Sequence, residues 1–215
     1  MRIRTLSLLS PALALLLGLA CGGGSHSAPP PAAPAPNPAQ GLTYTNPTGT
    51  GWRLVKDPSS TATRIVLNLV GPAGLKTRGV GFNLQAPAGV TFAAFSDGLP
   101  IHDTGVYQLQ TLGSTDPSEP LAITGGVKQG NLLSVGIYQK DRDQPAQDSG
   151  VALCQIALQF DASAGLKAGT SLTLSIPKAK AIPEDIGAIT DDLWTLDQKM
   201  RMANLSIAVG TLTAN

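Results

Sequence analysis

Only two histidines are available in this sequence for acid–base chemistry. His26 lies in a stretch rich in proline, alanine and serine, whereas His102 is followed by Asp103. A His–Asp pair can act as a general base when a third element supplies a nucleophile. The sequence contains no Gly-x-Ser-x-Gly motif that would present such a nucleophile. We therefore predict that His102 is an exposed loop residue, that there is no catalytic residue and that the protein is not an enzyme.

Carboxylates suited to a metal ion are concentrated in the polar segment 139–150. Asp141, Asp143 and Asp148 could supply oxygen ligands to calcium, although their spacing differs from that of an EF-hand loop. A solvated loop with turn-forming aspartates explains the same residues and is the favoured interpretation. The His-Glu-x-x-His, Cys-x-x-Cys and Gly-x-x-x-x-Gly-Lys motifs are absent. We expect no metal ion and no cofactor, while calcium binding at 139–150 stays an open alternative.

Aromatic side chains are the remaining candidates for ligand binding, because their faces can stack on the apolar faces of sugar rings. They occur at Tyr44, Trp52, Tyr107, Tyr138 and Trp194. Aromatic residues make up only 4% of the chain, so the tryptophans are more readily explained as plugs at the ends of a packed domain. Tyr138 is expected to be better exposed, because it alternates with an apolar row in its predicted strand. The candidates are thus Tyr138, Trp52 and Trp194.

The first twenty residues have the pattern of an export signal. Arg2 and Arg4 provide the positive region, and residues 6–19 provide an apolar region too short to span a bilayer as a stable helix. The small residue Ala20 precedes Cys21, where a signal peptidase would cut. An ordinary secretory signal that happens to contain a cysteine is the open alternative.

The end of this segment resembles the lipobox of bacterial lipoproteins, carried by Leu17, Gly18, Leu19, Ala20 and Cys21. The resemblance implies that Cys21 becomes the first residue and carries acyl chains on its sulfur and its amine. Two or three chains anchor a protein stably, since each buried methylene contributes about 0.8 kcal/mol. Gly22 follows the cysteine, which in the family's sorting pattern favours the outer membrane of a bacterium with two membranes. We expect a protein lipid-anchored in the cell envelope.

Removal of residues 1–20 leaves 13 basic and 14 acidic side chains, a net charge of −1. A nearly neutral chain with 13% charged residues provides no electrostatic surface for nucleic acid. Residues 21–40 are mostly Gly, Ser, Ala and Pro, and this composition predicts a disordered, extended linker after the lipidated cysteine. Residues 41–215 are long enough for one domain with its own core, and no second linker interrupts them.

Period-two alternation of apolar and polar residues dominates the domain and predicts half-buried β-strands. It is clearest at 151–160, where Cys154, Ile156 and Leu158 share one side, so Cys154 is predicted to be a core residue. Other strands are predicted around 65–69, 80–84, 90–94, 107–111, 121–124, 131–139, 172–176, 179–182 and 205–209. Turns rich in Gly and Pro separate them. The predicted fold class is all-β, an antiparallel, jelly-roll-like β-sandwich of about nine strands; only 185–204 suits one or two helical turns.

The order of these strands and turns resembles that of cohesin modules over roughly 61–213. The pattern is carried by the segments 63–70, 79–87, 90–92, 132–138, 148–156 and 205–209. The resemblance implies a nine-stranded sandwich related to some carbohydrate-binding domains. It also implies binding of a protein partner through an exposed sheet face, without catalysis.

Two functions follow from these patterns. The first is a lipid-anchored envelope module that presents its sandwich to a protein partner and contacts the membrane through the acyl chains on Cys21. The alternative is a polysaccharide-binding envelope lipoprotein that uses Tyr138 or the tryptophans.

Overall fold

The computed structural model describes residues 35–95, 106–108, 125–138, 146–183, 194–197 and 200–215. Outside these ranges lie the predicted signal peptide, Cys21, most of the linker, His102, Asp141, Asp143 and the predicted strand 121–124. In the described part of the chain, no helix is long and apolar enough to cross a membrane. The described compact unit runs from Pro36 to Asn215.

Short and medium strands account for nearly all the regular structure in these residues. In chain order they are β1 (Leu42–Thr45), β2 (Arg53–Lys56), β3 (Arg64–Val70), β4 (Lys76–Gln85), β5 (Val90–Phe92), β6 (Val106–Gln108), β7 (Gly125–Gln129), β8 (Leu132–Tyr138), β9 (Gln147–Asp148), β10 (Cys154–Phe160), β11 (Ser171–Leu172), β12 (Ser175–Pro183), β13 (Trp194–Asp197), β14 (Met200–Asn204) and β15 (Thr211–Ala214). A single 3-10 turn, Ala162–Ala164, follows β10.

The strands form three sheets in which neighbouring strands are antiparallel. The five-stranded sheet has the order β2-β3-β10-β5, with β6 beside β5 on the same edge of β10. The seven-stranded sheet has the order β13-β14-β12-β4-β8-β7, with β9 continuing the β8 edge of β4. The three-stranded sheet has the order β1-β15-β11. The chain crosses between the two larger sheets from β3 to β4, from β4 to β5, from β6 to β7 and from β9 to β10.

The inner faces of the two larger sheets bury one continuous apolar core. Ile65, Leu67 and Leu69 of β3 are fully buried, and so are Leu84 of β4 and Ile137 of β8. Apolar burial of this kind contributes about 25 cal/mol per Å² of surface removed from water. The predicted antiparallel β-sandwich is confirmed.

Cys154 lies in this core with no exposed surface, as predicted. In the ladders it is paired with Leu69 of β3 on one side and with Gln108 of β6 on the other. Burial raises the pKa of its thiol far above the usual range, because the thiolate would be desolvated there. The thiol therefore stays protonated, and Cys154 acts as a small apolar residue.

Both ends of the described unit lie at one end of the sandwich, which we call the tether end (36–41, 61–63, 161–169 and Asn215). The Ala39 amide donates to the Leu166 carbonyl (2.8 Å), and the Leu42 amide donates to the Ala62 carbonyl (2.6 Å). The carbonyl of Asn215 accepts from the Gly41 amide at 3.0 Å. Strand directions place the loops 46–52, 71–75, 148–153 and 206–210 at the opposite end, the far end.

Two predictions about the last third of the chain are wrong. Within 185–204, the helical turn expected at 200–203 is instead part of β14, because β14 pairs with the edge of β12 and this pairing overrides a weak helical pattern. The other turn, expected at 191–194, lies almost entirely outside the described residues. The strand expected at 205–209 has only one isolated bridge, between Arg53 and Ala208, and the final strand is β15. Ile207 still packs into the core, so an extended segment without a ladder produced the same period-two pattern.

Tyr44 joins three separate parts of the domain. Its hydroxyl donates a hydrogen bond to the Leu54 carbonyl (2.9 Å) and accepts one from the Gly210 amide (2.6 Å). Burial raises the pKa of this hydroxyl, and the weaker effect of the Gly210 hydrogen bond lowers it only in part. A Cβ atom at position 210 would collide with the Thr45 carbonyl oxygen and the Tyr44 ring, so only glycine fits. The Tyr44 side chain is 4% exposed, which excludes it from any sugar-stacking surface.

Replacing Tyr44 by Phe should lower the free energy of unfolding by about 1–3 kcal/mol, because the Leu54 carbonyl and the Gly210 amide lose their partner. The measurement is urea unfolding of residues 22–215, which lack Cys21. Thr43→Val, at the exposed neighbouring position, should change the stability by less than about 0.5 kcal/mol. Equal effects of the two substitutions would contradict the role assigned to the hydroxyl.

Candidate functional site

The outer face of the seven-stranded sheet carries a row of three glycines on adjacent strands. Gly81 of β4 lies opposite Gly136 of β8, and Gly136 lies opposite Gly125 of β7. On the other side of β4, Gly81 lies opposite Lys180 of β12. Glycine has no side chain beyond its Cα, so these three register positions consist of main chain only, and Gly81 and Gly136 are half-buried. We call it the glycine row.

On β4 and β12, the positions beside the glycine row toward Asn83 are polar, whereas Val127 of β7 and Leu132 of β8 are apolar positions of the same face. Lys178 lies opposite Asn83, which lies opposite Ser134, and Ser175 lies opposite Gln85. Lys178 and Ser175 are exposed, while Asn83, Gln85, Ser134 and Lys180 are half-buried. No aspartate or glutamate occupies these register positions among the described residues. The glycine row together with Lys178, Lys180, Asn83, Gln85 and Ser134 is called the lysine face.

The outer face of the five-stranded sheet differs because its centre is not open to solvent. Val66 and Ala157 lie opposite each other on that face, yet Ala157 is 0% exposed and Val66 is 4% exposed. Beside them, the Asp57 carboxylate accepts hydrogen bonds from the Asn68 side chain (2.8 Å) and the Gln155 side chain (3.1 Å).

Asp57 holds together the polar network on that face. Burial acts to raise its pKa, but hydrogen bonds from Ser59, Asn68 and Gln155 outweigh burial and keep the pKa below its usual value. The hydroxyl of Ser60 donates to the Val66 carbonyl and accepts from the Val66 amide, so it continues the ladder where β2 has ended. These interactions fix the loop 57–60 and give the network a structural role.

Three predicted ligand-binding residues fall in three different places. Tyr138 ends β8 opposite Gly79, two positions from the glycine row. Trp194 lies opposite Met202 in the hairpin β13-β14. Trp52 lies in the far-end loop before β2. The backbone therefore does not bring them together into one aromatic platform.

Trp52 lines a cleft of about 330 Å³ at the far end. Its walls are formed by Thr48, Gly51, Trp52, Arg53, Ser206, Ile207 and Ala208. The tryptophan is partly buried against the core, and its ring leaves no room for a Cβ atom at Gly71. It is thus both a plug, as the sequence favoured, and one wall of an open cleft.

The cations Lys178, Lys180 and Arg53 were not identified as candidate site residues from the sequence, since isolated cations carry no motif.

Asp148 is held as a turn-forming residue. Its carboxylate accepts hydrogen bonds from the Gly150 amide (2.7 Å) and the Gly74 amide (3.1 Å). These two bonds lower the pKa of the carboxyl group, with a further contribution from nearby Lys76. In the described part of the chain, no group of three or more His, Cys, Asp or Glu side chains could hold a metal ion.

Comparison with known proteins gives distant likenesses only. No protein-family model and no curated protein matches the chain. The sixth cohesin of scaffoldin B from Acetivibrio cellulolyticus, solved with a dockerin, is 11% identical, with a TM-score of 0.48 over 75% of this chain and 97% of that one. A type I cohesin from Pseudobacteroides cellulosolvens is 12% identical, with a TM-score of 0.45 over 75% and 88%. A non-cellulosomal cohesin from Archaeoglobus fulgidus is 14% identical, with a TM-score of 0.36 over 67% and 79%.

Likenesses of this distance assign no family to the chain. Its fold is defined by its own sheets as an antiparallel β-sandwich.

Asp148→Ala should lower the Tm at neutral pH, because the Gly74 and Gly150 amides lose their acceptor. A carboxyl group whose pKa is depressed by folding stabilises the protein above its unfolded pKa, and this contribution is lost as the pH falls. The difference in Tm should therefore shrink as the pH falls from about 4 through the lowered pKa of Asp148. Asp148→Asn keeps an acceptor oxygen, so its Tm should fall by less than the Tm of Asp148→Ala.

Calcium chloride should leave the Tm of the wild type unchanged. A Tm raised by calcium would contradict the turn-forming role of Asp148.

Proposed function

We propose that this protein is a non-catalytic, envelope-anchored binding module whose lysine face binds a protein partner with acidic side chains. The observation that carries the proposal is the contrast between the two outer faces. The centre of the five-stranded sheet is buried on its outer side, whereas the lysine face is partly accessible, polar and free of acidic residues at its described positions.

The shape of the lysine face suits a macromolecule. Small-molecule sites are concave, whereas protein interfaces are broad surfaces with complementary charge. Lys180 lies opposite Gly81 of the glycine row, and Lys178, which is exposed, lies two positions along the same strand. Positive charge on this face favours a partner that presents aspartate or glutamate. The cohesin-like order of strands and turns in the sequence implies the same use of a sheet face.

The anchor in this proposal is Cys21, followed by the linker 21–40. Residues 36–40 pack on the domain, so the free part of this linker is 21–35, which at about 3.1 Å per residue could hold the domain up to ~45 Å from the membrane. The chain enters the domain at the tether end, so attachment there leaves both the lysine face and the far end accessible. Gly22 after the cysteine supports the outer membrane as the site of anchoring.

Reversing both charges of the lysine face should abolish partner binding. Wild-type residues 22–215, the variant Lys178→Glu/Lys180→Glu and the variant Lys167→Glu are immobilised, exposed to an envelope extract and compared by quantitative mass spectrometry. Lys167 is an exposed lysine at the tether end and serves as the control. At least one protein should be retained by the wild type and the control and reduced about tenfold or more by the double variant, because like charges repel across an interface. Identical bound proteins for all three would contradict the proposal.

The anchor is tested separately in growing cells. Labelled fatty acid should be incorporated into the wild-type protein and not into Cys21→Ala, because the thiol is the attachment point. The wild-type protein should fractionate with the membrane and the variant should not. Equal labelling of both proteins would refute lipidation at Cys21.

A further inference from the structure

The far-end cleft combines three kinds of chemical group in a small space. Trp52 and Ile207 provide apolar surface, Thr48 and Ser206 provide hydroxyl groups, and Arg53 provides a guanidinium. Its volume of about 330 Å³ lies at the lower end of the range typical of ligand pockets. An occupant of this size must present an apolar face and several hydrogen-bonding groups at the same time. A sugar ring meets both requirements, since its C–H face stacks on aromatic rings and its hydroxyls donate and accept hydrogen bonds.

The cleft is held in shape before any ligand binds. The Ala208 amide donates to the Trp52 carbonyl (2.8 Å), and the Leu54 amide donates to the Ala208 carbonyl (3.0 Å). The Tyr44 hydroxyl forms hydrogen bonds with the Leu54 carbonyl and the Gly210 amide. Leu54 directly follows the lining residue Arg53, and Gly210 lies two residues after the lining residue Ala208. A preformed site loses less conformational entropy on binding than a mobile one.

Arg53 determines which kind of sugar fits. Its Nη1 donates to the Gly51 carbonyl at 2.9 Å, which holds the guanidinium beside the cleft. Among the described lining residues, Arg53 is charged and none is a carboxylate. A guanidinium has five N–H donors, and pairs of them bind a carboxylate in a bidentate manner. The remaining donors of Arg53 are thus suited to a carboxylate on the ligand.

We infer that the Trp52–Arg53 cleft binds a sugar unit that carries a carboxylate, as in a polyuronate chain. The sugar ring lies against Trp52, its carboxylate pairs with Arg53, and Thr48 and Ser206 contact its hydroxyls. The site is separate from the lysine face, because it is built from the loops 46–52 and 206–208 at the far end. Loss of protein binding through the lysine face would leave it intact.

The experiment is calorimetric titration of the mature chain in detergent with a trisaccharide of galacturonic acid. The methyl ester of the same trisaccharide is the matched ligand, since it keeps the sugar rings and replaces each carboxylate by an uncharged ester. The wild type should bind the acid form, and the methyl ester should bind roughly tenfold more weakly. Arg53→Gln should reduce the affinity for the acid form by a similar factor, and Arg53→Lys should reduce it less because the charge remains.

Lys56→Gln is the control variant, because it removes one positive charge from the exposed end of the same strand. It should leave the affinity unchanged, and the Tm of each variant is measured to verify folding. Equal binding of the acid and its methyl ester would overturn the inference, as would equal losses for Arg53→Gln and Lys56→Gln. Absence of binding by the wild type would also overturn it. Binding of N-acetylaspartate as strong as that of the trisaccharide would reassign the site to simple carboxylates and refute the role of the sugar ring.

Discussion

The Tyr44 hydroxyl is the interaction on which the far end of the domain depends. One oxygen atom satisfies the Leu54 carbonyl of β2 and the Gly210 amide before β15, and it lies at the junction between the three-stranded and five-stranded sheets. Gly210 has to be glycine because the Tyr44 ring and the Thr45 carbonyl occupy the space of a side chain. The two segments that Tyr44 joins also form opposite walls of the Trp52 cleft. A buried structural hydrogen bond therefore fixes the shape of a surface site.

The two outer faces of the sandwich have different roles because their polar groups are satisfied in different ways. On the five-stranded sheet, Asp57 uses its oxygens to hold Ser59, Asn68 and Gln155, and this network stabilises the fold. On the seven-stranded sheet, Lys178 is exposed and glycines replace side chains on three strands. At the described register positions of this face, the two lysines have no acidic neighbours.

The two ends of the described unit lie together at the tether end of the domain. The amides of Ala39 and Gly41 bond to Leu166 and Asn215, so the chain meets the domain at a defined end. The Trp52 cleft lies at the opposite end, and the lysine face lies along the side. The described part of the domain therefore has two chemically different surfaces, a sheet face with two lysines and a concave, partly aromatic cleft.

The sequence by itself determined the fold class and the burial of Cys154, because period-two alternation depends only on which side of a strand faces the core. Prediction from the sequence failed where the local hydrophobic pattern and the actual strand pairing disagree. An extended segment at 205–209 alternates like a strand without forming a ladder, and β14 is a strand because β12 supplies an edge. Tertiary structure alone decided that Tyr44 is a buried hub and that Trp52 faces a cleft beside Arg53. It also decided that Gly81, Gly136 and Gly125 form one row, because such sites join residues distant in sequence and their juxtaposition depends on strand register.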